Sequence, residues 1–527
     1  MTQPQDSTDD QSLMRKEHGS SGSSRLVKYW MWAVFLFVCW QPLELGFYMD
    51  DWSVDAEAVI HGSAFSGQRY RFVLALDPSR PGSSGMRFVL SSLLGDRPVL
   101  WQIAMLLANV LVAFSLARAI KAITGAQTSP TALAFALVWL ILPWSTSSQF
   151  WSILLPYELL FALFAFLLAE TAMHPSPSLW LSVIYGVIYL FLCTSYEILY
   201  GQFLSIILIM VGVALLRKLP VRTVLLPLVS FGVAQVLACI WYFKSPGFYG
   251  TRRPIQQEWI KLAVHNSLQL PRMLMQSMPE VHRSFYATLL TLFASCVYVL
   301  WRSRDEWAER RQVIGAGMIV AACALGAMLS VLCYSLGGRV SAGLGVDNRN
   351  VVLVSFWLVL LAGITALTVL KVANPWERKV LATMAFTCGM VLGIAHTIRT
   401  VDWATAWTLQ RRILQSAPVK QLQTTEAGAT VIMINRLTVN EAPIFSAPWD
   451  INRALPLTYP VLENHPITIC SHWQGAMDWD GERIMYAGQA PIATTHDVYL
   501  WIPADQIFRR ALRPLRIQQD LVVRDLP

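Results

Sequence analysis

Two adjacent carboxylates, Asp50 and Asp51, stand in the string YMDDWS directly after the first long apolar stretch of the chain. They open a polar segment of about fifty residues, Tyr48–Pro98, that precedes the second such stretch. A carboxylate within hydrogen-bond reach of an acceptor hydroxyl can act as a general base, a contribution of roughly 10²–10⁴-fold in rate. The flanking Tyr48 and Trp52 fit equally well a plain solvated loop at an interfacial aromatic belt. The pair alone does not choose between these readings.

Other residues bear on the choice. Glu158 in LLPYELL and Glu197 in TSYE lie near the same ends of later apolar stretches. Ionisable groups at bilayer depth cost on the order of a few kcal/mol unless they are paired or line a wet cavity. Glu158 follows Pro156, so it also fits a first-turn acid favoured by the helix dipole. Glu197 also fits an ordinary interfacial end residue. Arg339 and Arg349 stand in LGGRVSAGLGVDNRN, whose glycines permit close backbone approach to a ligand. Arginine grips phosphate oxygens in a two-pronged fork, although anionic lipid heads draw arginines to span ends too. Arg252-Arg253 form a second, less specific cationic pair. A base, cations and an apolar groove are what transfer of a sugar from a lipid-phosphate carrier requires.

Membrane spans must position these groups. The chain has 527 residues, of which 55% are hydrophobic and only 14% charged, the signature of an α-helical polytopic membrane protein. A span needs roughly twenty mostly apolar residues. About eleven stretches qualify: Val27–Phe47, Val99–Ile123, Thr131–Pro143, Leu154–Ala172, Leu179–Tyr196, Phe203–Leu216, Val221–Phe243, Phe285–Trp301, Val313–Leu336, Val351–Leu370 and Val380–Ile398. The first is long and rich in Trp and Phe, with no small-residue cleavage site after it, so it reads as a span and not as a cleaved signal. Lys and Arg collect at Arg15–Lys28, Arg118–Lys121, Arg217–Arg222, Arg302–Arg311 and Lys371–Lys379, while the connections Trp144–Ile153 and Glu197–Gln202 carry neither. That bias predicts a multi-pass plasma (inner) membrane protein with a cytoplasmic N-terminus and an odd number of spans.

The organisation then reads as a disordered cytoplasmic tail over residues 1–24, a membrane domain over 25–400 with outward loops 48–98 and 244–283, and an extracytoplasmic region over 401–527. The last region opens on an expected amphipathic helix, Asp402–Gln423, followed by strand-like runs at Thr430–Ile434, Ile467–Cys470 and Asp497–Ile502, as in a small α/β domain. His465, His472 and His496 are scattered without metal-ligand spacing, and Cys470 is the single cysteine of that region, so no disulfide is expected there. The +8 net charge is spread over membrane flanks, which does not suggest nucleic acid.

YMDDWS after span one, GDRPVLWQIAMLLANVL entering span two, LPWSTSSQFWSILLPYELL and TSYEIL together resemble the GT-C class of integral-membrane glycosyltransferases, above all bacterial relatives of the protein O-mannosyltransferases. In that class an Asp-bearing loop follows span one. An Arg-Pro precedes an Asn-containing second span, matched by Arg97-Pro98 and Asn109, and a Pro-aromatic stretch opens the next outward connection, matched by Pro143–Trp151. The resemblance covers roughly residues 27–420. It implies a polyprenyl-phosphate-linked sugar as donor and a glycan, lipid-linked or protein acceptor outside the cytoplasm. Carried over, the catalytic base falls on Asp50 or Asp51, with Glu197 and Arg339 as site members. Together with the residue-level reading above, Glu158, Glu197 and Arg97 stand as substrate-binding candidates, and Arg339, Arg349, Arg252 and Arg253 as candidates for the lipid phosphate. Pro143–Trp151 lacks an acid that many relatives carry, and no metal or other cofactor is inferred. Two other readings stay open. A lipid-linked polysaccharide polymerase or ligase would depend more on the arginines than on the acids. A transporter or flippase would place its site near mid-membrane between repeats, and no repeat is apparent.

Overall fold

The computed structural model describes residues 25–125, 129–245, 257–278, 282–303, 310–339, 346–423, 428–433, 438–445, 448–463, 468–471, 477–486, 492–494, 496–502, 507–511, 515–518 and 521–525. In chain order the helices longer than one or two turns are α1 Arg25–Glu44, α2 Gly67–Leu76, α3 Pro81–Leu94, α4 Pro98–Thr124, α5 Pro130–Ile141, α6 Ser152–Met173, α7 Leu179–Ser195 and α8 Phe203–Leu216. They continue as α9 Val221–Lys244, α10 Trp259–Gln276, α11 Arg283–Arg302, α12 Arg310–Leu336, α13 Asn348–Val372, α14 Pro375–Leu414 and α15 Pro448–Thr458. Among the described residues, eight of these are long and apolar enough to cross a membrane: α1, α4, α6, α9, α11, α12, α13 and α14. Three shorter apolar helices, α5, α7 and α8, complete the eleven stretches expected from hydropathy. The protein is a polytopic helical membrane protein with a small C-terminal region that contains strands.

The helix starts follow local chemistry. Pro98 opens α4 at a position where its missing N–H costs nothing. Asn374 caps α14 in a reciprocal box: its side chain accepts from the Glu377 amide at 2.9 Å, and Glu377 accepts from the Asn374 amide at 2.8 Å. The bundle packs α4 along α6, α7 along α9 and α8 along α12 around a core holding Trp101, Trp139, Trp357 and Phe164. At the α8–α12 crossing a Cβ on Gly212 would lie 2.7 Å from the Gly315 carbonyl, so only glycine lets the two backbones meet.

Two features differ from the sequence-based expectations. The amphipathic helix expected to start at Asp402 is the continuation of the last span, because α14 runs unbroken for 40 residues, or about 60 Å, some twice the thickness of the hydrocarbon core. No Gly or Pro stands between Gly393 and Pro418 to stop it, and Arg399 pairs with Asp402 one turn on at 3.0 Å. The expected first outward loop is itself folded: a π-helical turn, Asp51–Ala56, leads through a 3₁₀ turn, Glu57–Val59, into α2 and α3.

Past α14 the strands are β1 Thr430–Met433, β2 Thr438–Val439, β3 Ala442–Pro443, β4 Thr468–Ser471, β5 Met477–Trp479, β6 Arg483–Tyr486, β7 Ile492–Ala493, β8 Val498–Ile502, β9 Ile507–Arg510, β10 Leu515–Gln518 and β11 Leu521–Asp525. One sheet runs β4-β1-β8-β9, with β1 parallel to both β4 and β8. Those three strands coincide with the three apolar runs in the sequence. β1 is buried throughout, as a central parallel strand should be. A second, antiparallel sheet in the order β11-β10-β5-β6-β7 was not expected. This region docks on the first loop: α15 packs on the π turn, and Arg453 pairs with Glu57 at 3.0 Å.

Candidate functional site

Loop one turns at Met49, whose φ of 45° lies in the left-handed region that a long side chain seldom occupies. The turn is held by its neighbours. Tyr48 is fully buried and donates its hydroxyl to the Trp403 carbonyl at 2.8 Å, while the Trp52 indole donates to Gln410 at 3.1 Å, both on α14. The two acids of the motif then part company. Asp50 is half-buried at the head of the π turn. Asp51 is fully buried and accepts the backbone amides of Tyr48 at 2.8 Å, Ser152 at 3.3 Å and Ile153 at 2.7 Å. It therefore staples loop one to the start of α6. Burial and the neighbouring Asp55 raise its pKa well above the usual carboxylate range, despite those amides.

Asp55 and Arg87 were missed by the sequence reading. Asp55 is fully buried, with the Arg87 Nε 3.4 Å away. Arg87 also donates to the Ile153 carbonyl at 2.9 Å. Burial pushes the Asp55 pKa up to about 7; Arg87 works against that shift and Asp50 adds to it. The sequence signal was present: Asp55 follows Asp51 at a spacing that returns to the same side of a helical turn.

A second cluster forms around Glu197. Arg80 grips its carboxylate in a two-pronged fork, with Nε at 2.7 Å from Oε2 and Nη2 on Oε1. Arg80 also lies 3.2 Å from Asp77 and donates to the Tyr157 hydroxyl at 3.0 Å. Burial opposes the Arg80 charge, yet Glu197, Tyr157 and Asp77 hold its pKa well above the ordinary arginine value. The ring of Tyr157 stacks on Tyr196 at 4.2 Å; the Tyr196 hydroxyl meets that of Tyr334 at 3.0 Å, and Tyr334 donates to the Arg349 carbonyl at 3.1 Å. The Arg349 guanidinium in turn lies 4.8 Å from the centre of the Trp151 ring, a cation–π contact next to the Ser152 and Ile153 amides that Asp51 holds. A single chain of contacts thus runs from the acidic motif through Trp151, Arg349 and the tyrosines to Arg80 and Glu197.

The remaining candidates scatter around this rim. Arg339 lies at the end of α12, where its amide donates to the Tyr334 carbonyl and its own carbonyl accepts from Asn266, each at 3.0 Å. Glu158 is fully buried near the start of α6. Arg97 is exposed, and its carbonyl serves the first turn of α4. Arg252 and Arg253 lie outside the described residues. Among the described residues no group of three or more His, Cys, Asp or Glu side chains is arranged to hold a metal.

Gly82 brings Arg80 to Glu197. A Cβ there would lie 1.8 Å from the Ser195 hydroxyl oxygen and 2.8 Å from the Phe191 ring, so glycine lets the start of α3 press against the end of α7. Gly82→Ala is expected to lower the melting temperature by an amount corresponding to about 1–3 kcal/mol of overpacking. Adding Ser195→Ala, which removes the nearest atom, should recover part of the loss. An unchanged melt for Gly82→Ala would mean that the two helices do not meet this closely.

No family model matches the chain, and no curated protein does either. Among solved structures, the archaeal oligosaccharyltransferase AglB from Archaeoglobus fulgidus, in complex with an inhibitory peptide and a dolichol-phosphate, is similar over 94% of this chain and 76% of that one, at 10% sequence identity and a TM-score of 0.40. At that distance the similarity assigns no residue a role.

Proposed function

We propose that the chain is a membrane-embedded glycosyltransferase that moves a sugar from a polyprenyl-phosphate donor to a cell-envelope acceptor outside the cytoplasm. One observation carries the proposal: a half-buried carboxylate, Asp50, stands next to Asp51, whose contacts lead through Trp151 and Arg349 to the tyrosine stack and Arg80. Asp51 is fully buried while Asp50 is only half-buried, so Asp50 is the member of the pair that a substrate can reach.

In the proposed reaction Asp50 takes the proton from an acceptor hydroxyl as its oxygen attacks the anomeric carbon. The bond from that carbon to the phosphate oxygen breaks, the polyprenyl phosphate leaves with the electron pair, and the sugar inverts. Arg349 supplies positive charge beside the departing phosphate, and Arg80 adds to the field from behind the tyrosine stack. The exposed aliphatic faces of the spans supply the apolar surface along which a lipid tail can lie. The Lys/Arg bias of the connections supports placing this rim outside the cytoplasm, with the N-terminus inside.

The test is direct. Purified full-length protein in proteoliposomes, given a polyprenyl-phosphate donor with a labelled sugar and an envelope extract as acceptor, should move label from the lipid fraction to the acceptor. Label that crosses the bilayer while still attached to its lipid, with no acceptor modified, would overturn the proposal in favour of a flippase.

A further inference from the structure

The end of the bundle away from Asp50 holds a feature that sugar transfer does not use. There α8 stops at Leu216 and the chain reverses: the Lys218 amide donates to the Leu215 carbonyl at 3.1 Å, and the Leu219 amide to the Ala214 carbonyl at 2.8 Å. This paired closure normally places glycine at the left-handed position. Here that position is Lys218, with a φ of 59°. A side chain kept where glycine would be easier points to a use for that side chain.

Lys218 lines a cavity of about 300 Å³ with Leu215, Leu219, Pro220, Val221 and Arg311. Two cations thus share a recess whose remaining walls are apolar. The adjacent Arg217 is committed elsewhere, donating to the Met173 and Ala122 carbonyls at 2.9 Å each, where it ties together the ends of α6 and α4. Arg311 reaches the recess from the first turn of α12.

We infer that the recess between the end of α8 and the start of α12 binds the phosphate head of an anionic membrane lipid, with Lys218 and Arg311 on the phosphate and the apolar walls against the start of the tails. The volume suits a head group, and arginine and lysine are the usual phosphate partners. Free phosphate shares the charge but not the apolar part, and the experiment separates the two.

Full-length protein is placed in nanodiscs of phosphatidylcholine, with and without phosphatidylglycerol, and its thermal unfolding and retained lipid are measured. Phosphatidylglycerol should raise the melting temperature and remain bound in native mass spectra. Lys218→Gly should fold at least as well in phosphatidylcholine, since glycine suits the left-handed turn, yet lose the gain from phosphatidylglycerol, with lipid affinity down about ten-fold or more. Lys218→Arg should keep the gain, and Arg311→Gln should lose it. Inorganic phosphate alone should have no effect; if it reproduces the whole shift, the lipid assignment is overturned. The inference also falls if Lys218→Gly and Arg311→Gln respond to phosphatidylglycerol as the parent does.

Discussion

Asp50→Asn is expected to lower sugar transfer by about 10²–10⁴-fold while the protein folds and melts as before. The amide keeps the size and much of the hydrogen bonding of the carboxylate, but it cannot take a proton from the acceptor. The neighbouring variant should behave differently. Asp51 serves three backbone amides with two oxygens. Asn has only one accepting oxygen, so Asp51→Asn turns an NH₂ group toward a buried amide and should cost about 1–3 kcal/mol of stability. Turnover at saturating donor, read beside a melting curve for each variant, distinguishes a base from a staple. A normal rate for Asp50→Asn would remove the proposed base. A dead but fully stable Asp51→Asn would exchange the two roles.

What the sequence disclosed, and what it hid, divides along the range of the interactions. The spans were legible because bilayer thickness fixes the length of an apolar run, and even the short α5, α7 and α8 stood out by hydropathy. The β1, β4 and β8 strands were legible as apolar, β-branched runs, because a central parallel strand is buried on both faces. The second sheet was not, since strands such as β5 and β7, with three and two residues, carry too little pattern to read. The unbroken course of α14 was hidden because a change in surroundings along one helix looks, in sequence, like a change of element.

At the candidate site the acids themselves were visible, but their division of labour was not. Nothing local in YMDDWS says that Asp51 faces Ile153 across 102 residues. The Arg80–Glu197 fork spans 117 residues, and only the closeness that Gly82 allows makes it possible. Asp55 had a local signal in its spacing from Asp51, but its partner Arg87 did not. Long-range pairs of this kind are set by packing, which composition and periodicity do not encode.

The other large expected effect concerns that hidden pair. Arg87 and Asp55 have side chains only 6% and 0% exposed, so removing the guanidinium strands a buried carboxylate. Breaking such a pair costs about 3–5 kcal/mol when the remaining group is charged. Burial raises the Asp55 pKa to about 7, above its value of about 3.9 in the unfolded chain. Between those two values the folded state binds more protons than the unfolded one, so the contribution of Asp55 to stability falls as pH rises from about 4 to about 7 and then levels off. Without Arg87 the folded pKa rises further, and the decline continues beyond pH 7. Arg87→Ala should therefore lower the melting temperature only modestly at about pH 5, where Asp55 stays protonated and the loss is the Ile153 contact and packing. At about pH 8 it should lower it severely. Asp55→Asn in the Arg87→Ala background should remove most of that difference, because the amide has no charge to bury. Melting curves of the single and double variants at the two pH values read this out, and an equal loss for Arg87→Ala at both would mean that Asp55 is not the group that Arg87 neutralises.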